Sequence, residues 1–215
     1  MLSYVIDIDD TLISTKKRTQ GLWRHVLGSD VSVEEVELLT PLQIFEKYAT
    51  QEQKPSMREL QREFTDTMLC RNEIGKELMK IDEPLPDAAD VLNMWHRKYK
   101  INYVTGRLDT IRNETLSQLK SFGFPLKNTE LIMFKEEDWA KGQLSDARRT
   151  LLERIIQKDE IIRVIDDFPG YFQVYQEYEI PERIGLIQSR IHTQRDFIER
   201  GATKVVKSWN ELKDF

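Results

Sequence analysis

Three times in this chain an apolar run stops abruptly at polar or acidic residues, and this pattern narrows the fold more than any other feature. Leu2-Ser3-Tyr4-Val5-Ile6 runs into Asp7-Ile8-Asp9-Asp10-Thr11, Ile101-Asn102-Tyr103-Val104 into Thr105-Gly106-Arg107, and Ile162-Arg163-Val164-Ile165 into Asp166-Asp167. Short apolar runs of this kind predict buried strands. A buried strand has no structural use for three acids in four positions, because unpaired buried charge is expensive. In open α/β sheets ligands bind outside the carboxyl ends of the strands. If the three strands lie parallel, their ends converge, and Asp7 and Asp166 could share a cation with Thr105 beside it. A cation makes such a cluster both tolerable and reactive. Oxygen ligands of this type suit Mg²⁺, which takes one or two carboxylates, waters and a substrate phosphate. The plainer alternative is three ordinary strands with solvated acids at their ends.

The rest of the chain fits such a sheet. Its 215 residues suffice for one sizeable core, or a core with a small insert. Strands are expected at 130–134, 183–188 and 204–207, and helices at 87–98, 109–122 and 193–200. Alternating strands and helices predict an α/β fold, a three-layer Rossmann-like parallel sheet with right-handed crossovers. Between the first two motifs lies far more chain than one crossover helix needs, and it reads as helices. Ser32 to Glu35 predicts a capping box. Thr40-Pro41 and Pro55-Ser56 predict two further helix starts, and Pro84-Leu85-Pro86 ends the stretch. The expected domains are therefore 1–15 with 84–215 as core, and 16–83 as a helical insert.

Composition bounds the partners. A formal net charge of -5 argues against wholesale nucleic-acid binding, though not against a local basic groove. No apolar run approaches the roughly 20 residues of a membrane helix, and Asp7 comes too early for a signal peptide. Cys70 is alone, so no disulfide framework is expected and a reducing cytoplasm is the expected compartment. His25, His96 and His192 show no ligand spacing.

The Asp7-x-Asp9-x-Thr11-Leu12 motif, the strand ending in Thr105 and the strand ending in Asp166-Asp167 together resemble the haloacid dehalogenase (HAD) superfamily. The resemblance covers most of the chain. It implies that Asp7 is a nucleophile forming an aspartyl-phosphate, and that Asp9 is the general acid and then base. It implies Mg²⁺ on Asp7, the backbone carbonyl of Asp9, and Asp166, with Asp167 reaching the ion through water. Thr105 and Gly106, with Thr11 and the amides leading to it, would hold the phosphoryl group. Asp9 is the pattern of phosphatases and phosphomutases. The family also needs a Lys or Arg before the last acidic strand. Arg148 lies in the first turn of an expected helix, on the face of Leu151 and Leu152, and is preferred over Lys141, with Lys135 third. The insert falls where the family carries a helical cap, which excludes water and contacts the leaving group.

The implied function is a Mg²⁺-dependent phosphomonoesterase acting on a small phosphorylated metabolite, a nucleotide among the candidates. Arg107 and Lys17, within Lys16-Lys17-Arg18, are candidate substrate-binding cations, since Lys and Arg bind phosphate well. The same cations suggest an alternative, a phosphatase of polynucleotide ends. A third reading is a HAD-like binding module without turnover. Substrate identity and oligomeric state stay open.

Overall fold

The computed structural model describes residues 1–53, 56–137 and 144–214. The chain divides into two compact units: Met1–Ile13 with Pro84–Gln188 and His192–Phe215, and Ser14–Glu83 with Ser189–Ile191. The division falls two residues earlier than expected from the sequence at its first crossing, and it adds Ser189–Ile191 to the inserted unit. The addition has a visible cause: the Ser189 hydroxyl and the Arg190 amide both donate to the Glu37 carbonyl.

The chain begins with β1 (Leu2–Asp7) and the short β2 (Ile13–Ser14), then enters α1 (Lys16–Leu27), α2 (Val33–Leu38), α3 (Pro41–Tyr48), α4 (Met57–Met68) and α5 (Glu73–Leu78). It continues through β3 (Glu83–Pro84), α6 (Ala88–Trp95), β4 (Lys100–Leu108), α7 (Arg112–Ser121), β5 (Glu130–Phe134) and α8 (Leu144–Ile156). It closes with β6 (Glu160–Asp166), α9 (Phe172–Glu177), β7 (Glu182–Leu186), α10 (Gln194–Glu199) and β8 (Lys204–Val206).

The first unit is built on a six-stranded sheet in the order β5-β4-β1-β6-β7-β8. Every adjacent pair is parallel. β1 therefore sits between β4 and β6, the two other strands whose ends carry motif residues. Register places Asp7 beside Val104 and Ile6 beside Ile165. One step further brings Asp7 and Asp166 level at the carboxyl edge. Strand residues alternate between faces. Tyr4 and Ile6 look toward α6, where the Tyr4 ring meets Trp95 at 5.3 Å. Asp7 looks to the opposite face, toward α8. Val5, Ile6, Tyr103, Val104, Val164 and Ile165 are fully buried, which is the near-continuous apolar signature of strands covered on both sides.

The second unit, described by itself, is helical. Trp23 stacks on Phe64 at 4.2 Å and meets Phe45 edge-on at 4.9 Å, in a core with Leu22, Val26, Val31 and Ile44. The helix starts are chemically explicit. Ser32 and Glu35 form a reciprocal capping box at α2. Thr40 and Gln43 do the same at α3, with Pro41 at its first position. Pro55, expected to open the next helix, lies outside the described residues. α1 ends at Gly28 with φ 66°, a left-handed stop that glycine takes without strain.

Candidate active site

β1 delivers Asp7 as its last residue, and a tight loop follows. Asp10 adopts φ 54°, a conformation that Asp tolerates better than most residues. The amides of Thr11, Leu12 and Ile13 all donate to the Ile8 carbonyl, and that of Asp10 donates to the Ile13 carbonyl. Of the amides after Asp7 expected to cradle a phosphoryl group, those of Asp10 and Thr11 are thus already bonded inside the loop. From far along the chain, the Trp209 indole donates to the Thr11 carbonyl at 2.7 Å and holds the loop down.

β6 delivers Asp166 and Asp167. Ligand oxygens of Asp7, Asp166 and Asp167 all lie within 4.8 Å of one another, making them a group that could hold a metal ion. Asp7 and Asp166 are buried and Asp167 is partly exposed. Burial pushes the Asp7 carboxyl well above its ordinary range, and the charge of Asp166 adds to this while Arg148 opposes it. Asp166 is raised by burial too, against the pull of Arg148 and the Tyr175 hydroxyl. Asp167 is raised by loss of solvent, then by Asp10 and Asp7. Burial is the largest cause for all three carboxyls, and like charge close by adds to it for Asp7 and Asp167.

α8 supplies the cation. Arg148 is only 2% exposed. Its guanidinium donates to Asp7 Oδ1 at 2.7 Å and lies 3.3 Å from Asp166 Oδ2. It also covers the Tyr171 ring at 4.1 Å. Lys141 lies outside the described residues. Lys135 is exposed and 3.8 Å from Glu137, so among the described candidates Arg148 is the one that reaches Asp7. Asp166 is gripped further by the Tyr175 hydroxyl at 2.5 Å and the Phe168 amide at 2.9 Å.

The end of β4, Thr105–Arg107, where the register with β5 shifts, supplies the third wall. The Thr105 hydroxyl donates to Asp9 Oδ2 at 3.3 Å and accepts from the Arg107 amide at 3.2 Å. Arg107 grips both oxygens of Asp9, at 2.7 and 2.8 Å. Gly106 lies between Thr105 and Arg107 in the strand, with the Phe134 ring the nearest group a side chain there would meet. The Thr11 hydroxyl donates to Asp167 Oδ1 at 3.3 Å. In the other unit, Lys16 pairs with Glu37, Lys17 with Glu83 and Arg18 with Asp82. The basic run thus has acidic partners of its own. Tyr175, Gln118 and Trp209 are the site residues that sequence reasoning missed. Phe168-Pro169-Gly170-Tyr171, which follows the second acidic pair, reads from sequence as either an aromatic wall near the site or a plain turn packed on the core, and its Tyr171 ring lies under Arg148.

No protein-family model and no curated protein matches the sequence. Solved structures do match its fold over nearly all its length. A haloacid dehalogenase-like hydrolase from Streptococcus pneumoniae is 13% identical with a TM-score of 0.65, over 98% of this chain and 95% of that one. A hydrolase from Pseudomonas syringae is 15% identical with a TM-score of 0.61, over 100% and 99%. The chain has the HAD-like fold. A third structure, a HAD family hydrolase from Deinococcus radiodurans with bound phosphate and sodium, is 14% identical with a TM-score of 0.58, over 98% and 92%. In open α/β sheets ligands bind outside the carboxyl ends of the strands, and Asp7, Thr105 and Asp166 stand at those ends here.

Proposed function

We propose that this chain is a phosphoric monoester hydrolase dependent on a divalent cation. The observation that carries the reading is the excess of carboxylates at the sheet edge. Asp7, Asp9, Asp166 and Asp167 face two guanidiniums, Arg107 and Arg148, and Asp10 adds to the excess. A hard dication held by Asp7, Asp166 and Asp167 fits both the charge deficit and the all-oxygen donor set, and Mg²⁺ suits it best. Bound there, it would shield the phosphoryl oxygens and the negative charge that develops on them.

The residues then have assignable parts. An Asp7 oxygen attacks phosphorus, the ester P–O bond breaks, and Asp9 gives its proton to the departing oxygen. Water next attacks the aspartyl-phosphate, Asp9 takes its proton, and phosphate leaves. Arg148 holds Asp7 in line and Thr105 donates to the transferring group, so that most of the catalysis is positioning and charge stabilisation. Substrate selection is the part left to the helical unit inserted between Asp9 and Thr105. The substrate class is a small phosphate ester, with nucleotides the first to screen and the cytoplasm the expected compartment. The Deinococcus hydrolase with bound phosphate supports the class.

Hydrolysis of an aryl phosphate tests this directly. Turnover should require Mg²⁺ and stop on chelation. Asp7→Asn should lower kcat on the order of a thousandfold or more. Undiminished turnover by Asp7→Asn would overturn the nucleophile assignment.

A further inference from the structure

We infer that Arg107 is the positioning residue of Asp9, aiming the proton donor at the leaving oxygen rather than binding substrate itself. This rests on the phosphatase reading above and deepens it. The side chain of Arg107 is only 4% exposed, while that of Asp9 is 29% exposed. The guanidinium is therefore the buried member of the pair, and the acid is the member presented outward. Two near-parallel bonds, Nη2 to Oδ1 at 2.7 Å and Nε to Oδ2 at 2.8 Å, match the guanidinium fork to the carboxylate plane. Together they fix the rotation of the Asp9 carboxyl about its last torsion, which is otherwise broad.

The fork is itself fixed from behind. Arg107 Nη1 donates to the Gln118 amide oxygen at 2.7 Å and to the Thr115 hydroxyl at 3.4 Å, both on α7. The geometry of the acid is thus referred back through Arg107 to a helix of the sheet's own scaffold. A mobile acid on a loop loses orientation, and misplacement by an ångström can cost two orders of magnitude in rate. Lysine cannot replace Arg107, because an ammonium lacks the planar fork.

The test compares two esters with Mg²⁺ present: p-nitrophenyl phosphate, whose phenolate departs with little proton assistance, and glycerol phosphate, whose alkoxide needs it. Arg107→Lys should lower kcat on glycerol phosphate about ten- to hundredfold, with a loss on the aryl ester roughly tenfold smaller and KM within about twofold on both. Gln118→Leu, which removes the rear anchor and keeps the charge, should move the same ratio in the same direction by a smaller factor. It carries the test if Arg107→Lys does not fold. Starting from Asp9→Asn, adding Arg107→Lys should cost less than about twofold more, since the two act as one unit. Equal losses on the two esters, a raised KM with unchanged kcat, or multiplying losses in the double variant would each overturn the assignment of Arg107. Wild-type protein that hydrolyses neither ester overturns the phosphatase reading and this one with it. Turnover by wild type with equal losses overturns this one alone.

Discussion

Arg148 is surrounded by groups that each want a flat cation. Its guanidinium donates to Asp7, approaches Asp166 and covers the Tyr171 ring. Sequence reasoning could place this residue, because its offset from Leu151 and Leu152 puts it on the inward face of a helix. It could not supply Tyr171 as the ring beneath it, since cation–π contact leaves no spacing in the chain. Burial works against the charge on Arg148, but Asp166 and Asp7 hold it charged, while burial keeps the Tyr171 hydroxyl, pushed up to about 12, neutral against the pull of Arg148. Arg148→Met should destabilise the protein by about 3–5 kcal/mol in denaturant unfolding without metal, because two buried carboxylates lose their counter-charge. Saturating Mg²⁺ should recover part of that loss. Arg148→Lys should fold but turn over about ten- to hundredfold more slowly, as the second contact and the stacked face go. The Trp209 indole on the Thr11 carbonyl was beyond any local reading, with 198 positions between the partners.

At the level of elements, what was legible is what is periodic or capped. β5 occupies the expected 130–134 span, since five apolar-biased residues bounded by turns leave little choice. Helix ends shifted where turns of another kind intervene. The expected 109–122 helix begins as a 3-10 turn over Asp109–Ile111 before α7 proper. The capping box of α2 makes a sharper statement about energy. Glu35 accepts from the Ser32 amide, the Lys47 ammonium and the Tyr48 hydroxyl. The hydrogen bond from Lys47, then that from Tyr48, lowers its carboxyl to about 2. A folded value below the unfolded one stabilises above the unfolded pKa, and that stability is lost as pH falls through the folded value. Glu35→Ala should therefore lower thermal stability by about 1 kcal/mol at neutral pH, and the gap from wild type should narrow as pH drops from about 4.5 toward 2. A gap that does not change with pH would mean that the charge contributes nothing there.

For the whole molecule, two units interleave in sequence, because the Ser14–Glu83 unit divides the sheet domain and Ser189–Ile191 completes it. The sequence showed the large insertion through its helical periodicity and proline boundary. It could not show the three-residue contribution, which rests on hydrogen bonds to a carbonyl rather than on side-chain pattern. Cation binding should be visible in overall stability. Any ligand that binds only the folded chain stabilises it by mass action, about 2.7 kcal/mol at a hundred times its Kd. Mg²⁺ should therefore raise Tm in wild type, and Asp166→Asn should abolish most of the rise. An identical rise in both proteins would place the ion elsewhere. Among the described residues no helix is long and apolar enough to cross a membrane.

The central place of β1 has a consequence for synthesis. A ribosome working at about 5–20 residues per second makes β1 well before β4 and β6, and both must follow before the two edges of β1 are paired. For most of translation, the apolar segment carrying Asp7 is a nascent-chain hazard that a chaperone can guard. Codon changes that slow elongation between Leu108 and Glu160 would lengthen this exposed interval without altering one atom of the finished enzyme.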